Sequence, residues 1–164
     1  RYDGRLRSGL TNAPTASWGY SGNPFGDDEC GKFYARAMSV WSLLLACQGF
    51  IYDGPAGRIG FRPVWRPADH ASFFTAAEGW GLFRSRTVAS RTTARIRVAW
   101  GQLVVREIIL KLPAAANSVT VSESGVSLPA AMSSVAGEIR LSLTNEHTVR
   151  AGKELEIRVQ HGAI

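Results

Sequence analysis

The amino-acid sequence predicts an α+β protein in which one buried helix precedes a β-hairpin and an antiparallel, β-sandwich-like C-terminal half. Two patterns support this class. Apolar residues recur at helical spacing from Lys32 to Gln48, and the apolar–polar alternation typical of strands takes over after about residue 90. The 164 residues, 45% of them hydrophobic and 20% charged, have the composition of a globular protein. We therefore divide the chain into residues 1–85 and 86–164.

Residues 1–26 are rich in glycine, proline and short polar side chains, so a long loop is expected there. Trp18 in this loop is expected to pack against something, since an aromatic side chain on a polar loop needs a surface to cover. Three consecutive carboxylates at residues 27–29 then precede the apolar run, where a helix N-terminus favours negative charge. The helix is therefore predicted to begin near Glu29 and to end at Gly49.

The predicted helix is apolar on nearly all sides, because Met38, Leu43 and Cys47 add to the face that carries Val40 and Trp41. A helix of this kind is normally buried. A chain of this length contains little that could enclose it, so we expect a larger α-helical body around the helix. The chain also starts with an arginine and without a signal segment, which favours a start inside a longer polypeptide.

Strands are predicted after the helix. Residues 50–53 and 58–62 flank a Gly-Pro-Ala-Gly turn and are expected to form a hairpin. Residues 73–75 and 79–83 are shorter strand candidates. From about residue 90, many short alternating runs separated by turn segments predict an antiparallel sandwich.

The net charge of +6 comes mainly from arginines in one later segment. These are Arg84, Arg86, Arg91, Arg95 and Arg97. That segment has no interleaved aromatic residues, so a solvated face, or a face against a partner, is favoured over a nucleic-acid site.

Two further features concern the location of the protein. The longest apolar stretch is about half of what a bilayer span needs, so no membrane span is expected. Two cysteines at opposite ends of one helix are expected to stay reduced, which favours a cytoplasmic protein.

The segment richest in chemistry runs from Asn23 to Arg36. It places Asp27 and Glu29 at the start of the predicted helix and Arg36 about two turns further along. The simplest interpretation is that the acids cap the helix and that the arginine pairs with one of them. The alternative is a binding site, because the five donors of a guanidinium need partners and the oxygens of a substrate can supply them.

Five segments carry the motifs of a known family in order: Arg1 to Gly4, Asn23 to Arg36, Ala37-Met38-Ser39 with Leu43 to Ala46, Gly49-Phe50 with Tyr52-Asp53-Gly54, and Phe73-Phe74 with Gly79-Trp80-Gly81. Together they resemble the C-terminal region of glycoside hydrolase family 116, whose pattern reads roughly Asn-Pro-Trp-Asn-Glu-x-Glu-Cys-Gly, followed by Tyr-Ala-Arg. This family includes bacterial β-glucosidases and non-lysosomal glucosylceramidases, and the resemblance covers about the first half of the chain. With this resemblance, Trp18 on its polar loop becomes a candidate platform for a sugar ring.

The resemblance implies that the helix is the last inner helix of an (α/α)₆ toroid whose cavity binds a sugar. It implies that Asp27, in place of the family's Glu, and Arg36 hold sugar hydroxyls, with Glu29 as the second acid. Trp80 either stacks on a sugar ring or packs the hairpin onto the helical body. The catalytic carboxylates of the family lie upstream, so no catalytic residue is assigned here and this chain alone is expected to be inactive.

The expected partners are a larger N-terminal part of the same enzyme and a carbohydrate substrate. We expect no cofactor, and no metal site either, because the three histidines have no ligand cluster at suitable spacing. The alternative hypothesis is a non-catalytic carbohydrate-binding or interaction module, in which the β-rich half does the binding and the helix is a docking element.

Overall fold

The structure, a computed structural model, describes residues 34–112, 115–135 and 137–162, with the side chains of residues 34–39 left out. These residues form one helix, α1 (Tyr34–Gln48), and ten strands, so this part of the chain is mostly β-sheet, consistent with the predicted α+β class. The strands are β1 (Ile51–Asp53), β2 (Arg58–Phe61), β3 (Asp69–Ala76), β4 (Gly79–Val88), β5 (Arg91–Lys111), β6 (Ala116–Glu123), β7 (Val126–Leu128), β8 (Ala130–Val135), β9 (Glu138–Arg150) and β10 (Glu154–His161).

The chain divides into two compact units, Arg1–Leu45 and Ala46–Ile164, and the boundary falls inside α1. In the second unit, strands that begin before residue 86 share sheets with strands that follow it. The predicted division between residues 85 and 86 stays a prediction. The predicted start of the helix near Glu29 lies outside the described residues.

The end of α1 is set by Gly49, as the sequence predicts. This glycine has a φ of 55°, in the left-handed region that ends many helices. A Cβ at this position would lie 2.4 Å from the carbonyl oxygen of Arg62. The segment after β2 lies this close because it is hydrogen-bonded to the end of the helix. The Arg62 amide donates to the carbonyls of Gln48 and Gly49, and the Val64 amide donates to that of Cys47. The last carbonyls of the helix are thus satisfied by the segment that follows β2.

The strands form two sheets that share β5. Sheet 1 has the order β1-β2-β5-β9-β8, and sheet 2 has the order β3-β4-β5-β10-β6-β7. The first half of β5 pairs with β4 and β10, and residues from Gln102 onward pair with β9. A single strand of 21 residues therefore passes from one layer to the other.

The pairing of β2 with β5 involves a strand that precedes the segment, from about residue 90 onward, for which an antiparallel arrangement is predicted. These two strands run parallel, with Ile59 opposite Ile108. Parallel neighbours need a long connection between them. Here β3 and β4 supply it, since the chain passes through sheet 2 before it returns to sheet 1 beside β2. Both β3 and β4 extend beyond the runs 73–75 and 79–83 that the sequence predicts.

One hydrophobic core lies between the two sheets. It takes inward-facing side chains from both, among them Ile59 and Ile108 of sheet 1 and Ile157 of sheet 2, all fully buried. Phe61 of β2 stacks on Phe83 of β4 with ring centroids 3.8 Å apart. This stacking joins β1–β2 to sheet 2, and burying such aromatic side chains is among the largest contributions to stability.

Ion pairs are formed at both ends of β2, by Arg58 at its start and by Arg62 directly after its last residue. Arg58 hydrogen-bonds to Glu107 of β5, and this bond, with the opposite charge of Glu107, raises the pKa of Arg58. Arg62 contacts both carboxylate oxygens of Glu138, at 2.7 and 2.9 Å. Exposed pairs of this kind each contribute little to stability, at most about 1 kcal/mol.

Candidate functional site

Most of the predicted sugar-holding residues lie outside the described part of the chain. Asp27, Glu29 and Trp18 precede it, and the side chain of Arg36 belongs to the undescribed part of α1, although its backbone is helical. Their convergence on one sugar stays a prediction. Trp80 is the member of this set whose side chain the structure places.

Trp80 lies on the outward face of β4, directly opposite Trp100 of β5. Both indole rings are largely accessible, with 50% of Trp80 and 64% of Trp100 exposed. The outward-facing Phe73 and Leu82 are also exposed and lie opposite each other on β3 and β4. We call these four residues the tryptophan patch. Exposed apolar groups gathered in this way mark a surface that binds a partner or a ligand.

The glycine after Trp80 explains the local geometry of the motif. The pairing of β4 with β5 shifts register between Trp80 and Gly81, which is a β-bulge. A Cβ on Gly81 would lie 1.9 Å from the carbonyl oxygen of Arg97, so no side chain fits. The Gly79-Trp80-Gly81 sequence is thus required for the close approach of β4 to β5 at the point where Trp80 projects outward.

Polar groups stand beside the tryptophan patch. The side-chain amide of Gln102 donates to the carboxylate of Glu78 at 2.6 Å, and the Gln102 backbone amide donates to the Glu78 carbonyl at 3.0 Å. Both side chains belong to the surface. An aromatic platform with a neighbouring carboxylate and amide has the chemistry of a sugar-binding surface, since sugars offer apolar ring faces and hydroxyls.

A second feature of the outward face of sheet 2 is a groove of about 1020 Å³. Among the described residues, five arginines line it and Asp69 is the single acidic residue of the lining. We call this the arginine groove. The sequence pointed to a basic segment, and four of its five arginines lie here, whereas Arg97 does not. The five lining arginines are Arg66, Arg84, Arg86, Arg91 and Arg95.

The arginines of the groove differ in their partners. Arg95 donates to Glu156 through Nε at 3.1 Å and Nη2 at 2.8 Å. Among the described residues, the ion pairs include none formed by the other four arginines or by Asp69. Arg84 also lies directly opposite Arg95, so like charges face each other across two strands. The groove therefore carries an uncompensated positive charge.

Sequence reasoning missed Trp65, Arg66 and Trp100. Alternation along β4 and β5 shows that Trp80 and Trp100 point outward, but not that they are opposite each other. Trp65 and Arg66 precede β3 in a segment without periodicity. They come beside the arginines because this segment leads from sheet 1 into sheet 2.

The exposed surface of α1 is a third feature. Val40, Trp41, Leu43 and Leu45 are each more than half exposed. The expectation that this helix is buried within a larger helical body is therefore not met by the described residues alone and stays a prediction. A helix with so much exposed apolar surface is typical of an element that packs against further polypeptide.

The histidines serve structural contacts. His70 is buried and contacts the carbonyl oxygen of Trp65 and the hydroxyl of Ser72, both at 3.0 Å. His161 is buried and hydrogen-bonds to Thr92 at 2.6 Å, while His147 lies 3.3 Å from Glu123. Within the described ranges, His, Cys, Asp and Glu side chains form no group suited to a metal ion, and no helix has the length and apolarity needed to cross a bilayer.

Comparison with solved structures gives several likenesses, and two of them show how weak the similarity is. No family model and no curated protein sequence matches the chain. A GH127 β-L-arabinofuranosidase from Geobacillus stearothermophilus T6 is 9% identical with a TM-score of 0.43, over 79% of this chain and 19% of that one. An α-L-rhamnosidase from Dictyoglumus thermophilum is 12% identical with a TM-score of 0.40, over 70% of this chain and 12% of that one. This chain spans less than a fifth of either structure, and likenesses at this level establish neither a family nor a function.

Proposed function

We propose that this chain is the C-terminal segment or subunit of a retaining glycoside hydrolase that acts on β-glucosides or related glycosides. The observation that carries the proposal is the series of motifs, in family order, from Arg1 to Gly81. In this proposal the chain supplies sugar-binding residues, while the two catalytic carboxylates belong to an upstream part of the enzyme. A retaining enzyme needs those two carboxyl groups about 5 Å apart across the scissile bond.

Each proposed residue has a chemical role on the sugar. Asp27 accepts hydrogen bonds from ring hydroxyls, Arg36 donates to the same hydroxyls, and Glu29 is the second acceptor. Together they orient the ring so that its anomeric carbon meets the nucleophile, and such positioning lowers the barrier of the chemical step. Trp18 and Trp80 provide apolar surfaces for the faces of sugar rings.

The surface of α1 supports the assembly with an upstream part. Trp41 and its neighbours Val40, Leu43 and Leu45 present apolar area that is favourable to bury. In an (α/α)₆ toroid, an inner helix packs against other helices on most of its sides. The exposed apolar residues of α1 have the composition that such a position requires.

The test of the sugar-holding role is the Arg36→Ala substitution in the complete protein that carries this chain. Loss of charge-assisted hydrogen bonds to a sugar is expected to lower kcat/KM by about 10- to 100-fold. The matched control is Arg150→Ala, because Arg150 is exposed on β9 and no described ion pair includes it. Steady-state kinetics on several aryl glycosides measure both. Unchanged kinetics for Arg36→Ala on every cleaved glycoside would contradict the role.

The second candidate is a non-catalytic carbohydrate-binding module, which the tryptophan patch favours. In that case the β-rich part binds sugar by itself, and Trp80→Ala together with Trp100→Ala abolishes binding of oligosaccharides in titration calorimetry. A chain that is monomeric alone and binds sugar through this patch supports the module. A chain that is insoluble alone and copurifies with a larger fragment supports the enzyme segment.

A further inference from the structure

We infer that the arginine groove is a binding site for an acidic oligosaccharide, whose carboxylate or sulfate groups are held by Arg84, Arg86, Arg91 and Arg66. The anion site itself stands on the geometry of sheet 2, whereas the choice of a sugar chain as the carrier of the anions rests on the proposed function. None of the described lining residues is one that the family resemblance places on the sugar.

The arginines are spaced for several anions in a row. Arg84 and Arg95 are cross-strand neighbours, at a strand separation of about 4.8 Å, and Arg86 lies two residues from Arg84 on the same face, about 7 Å along the strand. Guanidinium groups bind planar oxyanions through two parallel hydrogen bonds. A chain that carries repeated carboxylates or sulfates can therefore contact several arginines at once.

The unpaired arginines lower the stability of the empty groove. Like charges opposite each other on neighbouring strands are destabilising, and Arg84 faces Arg95 in this way. Glu156 compensates Arg95, and Asp69 lies opposite Arg86 without forming an ion pair among the described residues. An anionic ligand would add attraction to the arginines that have no ion-pair partner among the described residues.

Trp65 favours a sugar chain over a small inorganic anion. Its side chain is 65% exposed and lines the groove. Its backbone is held on both sides, since its carbonyl oxygen contacts His70 at 3.0 Å and its amide donates to the Cys47 carbonyl at 3.4 Å. An exposed indole beside arginines offers an apolar ring face and charge together, which suits a ring that carries an acidic group.

The same observations favour a sugar chain over nucleic acid. Proteins that bind single strands place aromatic side chains along the groove so that successive bases stack on them. No aromatic residue occurs between Arg84 and Arg97, and Phe83, just before them, is buried in the core. Trp65 is thus the single exposed aromatic side chain among the described lining residues, whereas a nucleic-acid strand needs several in a row, so a sugar chain is favoured.

The experiment measures binding of four probes to the full chain by titration calorimetry. Oligogalacturonate carries carboxylates, heparin oligosaccharide carries sulfates, maltooligosaccharide is neutral, and a single-stranded oligonucleotide represents nucleic acid. We expect at least one of the acidic sugars to bind at least about tenfold more tightly than the neutral one, and to weaken when salt rises from about 50 to about 500 mM. The preferred acidic sugar then identifies the anion.

Paired variants locate the site. Arg84→Gln with Arg86→Gln is expected to weaken binding of the acidic sugar by at least about tenfold, and Trp65→Ala to weaken it by a smaller factor. The control is Arg150→Gln with Lys153→Gln, which removes the same charge from exposed positions outside the groove and is expected to leave binding within about twofold. Circular dichroism and a melting temperature no lower than that of the unaltered chain verify that the groove variant folds.

Three results would overturn the inference: equal binding of acidic and neutral sugars, equal loss in the groove and control variants, or tighter binding of the oligonucleotide than of either acidic sugar. The test is independent of the proposed hydrolase function. Acidic sugars that bind while Arg36→Ala leaves hydrolysis unchanged would retain the groove and refute the hydrolase role. Failure to bind acidic sugars, with impaired hydrolysis in Arg36→Ala, would do the reverse.

Discussion

Single residues explain the surface that surrounds Trp80. The Gly79-Trp80-Gly81 motif belongs to the family resemblance in the sequence, and the structure supplies a physical reason for its second glycine. At Gly81 the backbone of β5 approaches so closely that a methyl group would overlap the carbonyl of Arg97. The β-bulge lies at this point, between Trp80 and Gly81, and Trp80 is opposite Trp100 directly before it. Spacing alone could not show this, because a close approach depends on the neighbouring strand.

Replacing Gly81 by alanine is expected to destabilise the chain by about 2 kcal/mol or more, since strands β4 and β5 must separate to admit the methyl group. Urea unfolding followed by fluorescence measures the change. Gly125→Asn is the control, because Gly125 lies in a turn with a φ of 84° and open space where its Cβ would be, and asparagine tolerates this conformation. A loss in Gly81→Ala no greater than in the control would contradict the steric account.

Among the elements, β5 has the largest structural role. The sequence shows its two halves as separate alternating runs, around Ile96–Val98 and Leu103–Val105, and the structure joins them into one strand. The shared strand accounts for the single core between both sheets. Alternation predicts which side chains of β5 are buried, but the passage of a strand from one sheet to another depends on its partners. The helix, by contrast, ends at Gly49 as predicted, because its end depends on local conformation.

We expect the amides of β5 to exchange with solvent more slowly than those of other strands. Both of its edges are hydrogen-bonded, to β4 and β10 and then to β2 and β9, so opening β5 requires disruption of both sheets. The edge strand β8, paired on one side to β9 and mostly exposed, is the internal control. In hydrogen exchange followed by mass spectrometry, the amides of β5 should have exchange half-lives at least about tenfold longer than those of β8. Equal protection of β8 would indicate a different arrangement.

At the scale of the whole molecule, the core belongs to the second compact unit. Its buried side chains run from Ile59 to Val159, and the segment after Ala46 also carries the backbone groups that cap the end of α1. The apolar surface of α1 lies before this unit. The two parts thus have different requirements, because one encloses its own core whereas the other exposes apolar side chains.

A fragment of Ala46–Ile164 is therefore expected to fold by itself and to unfold in a single cooperative transition, since it contains the whole described core. Thermal unfolding followed by circular dichroism tests this. A second fragment of residues 86–164 tests the division predicted from the sequence, as it lacks Phe61 and Phe83 and cuts β4. Cooperative unfolding of the shorter fragment would support that division, and a non-cooperative transition of the longer one would contradict our account of the core.

The sequence by itself determined what depends on local conformation and composition: the helix and its end, the abundance of strands, the outward direction of the arginines, and the motifs that suggest a glycoside hydrolase. The tertiary structure alone decided the register that sets Trp80 against Trp100, the parallel pairing of β2 with β5, and the return of Trp65 and Arg66 to the arginines of sheet 2. The reason is physical. The face on which a side chain lies follows from the geometry of its own strand, whereas its neighbours are chosen by pairings between residues distant in the chain.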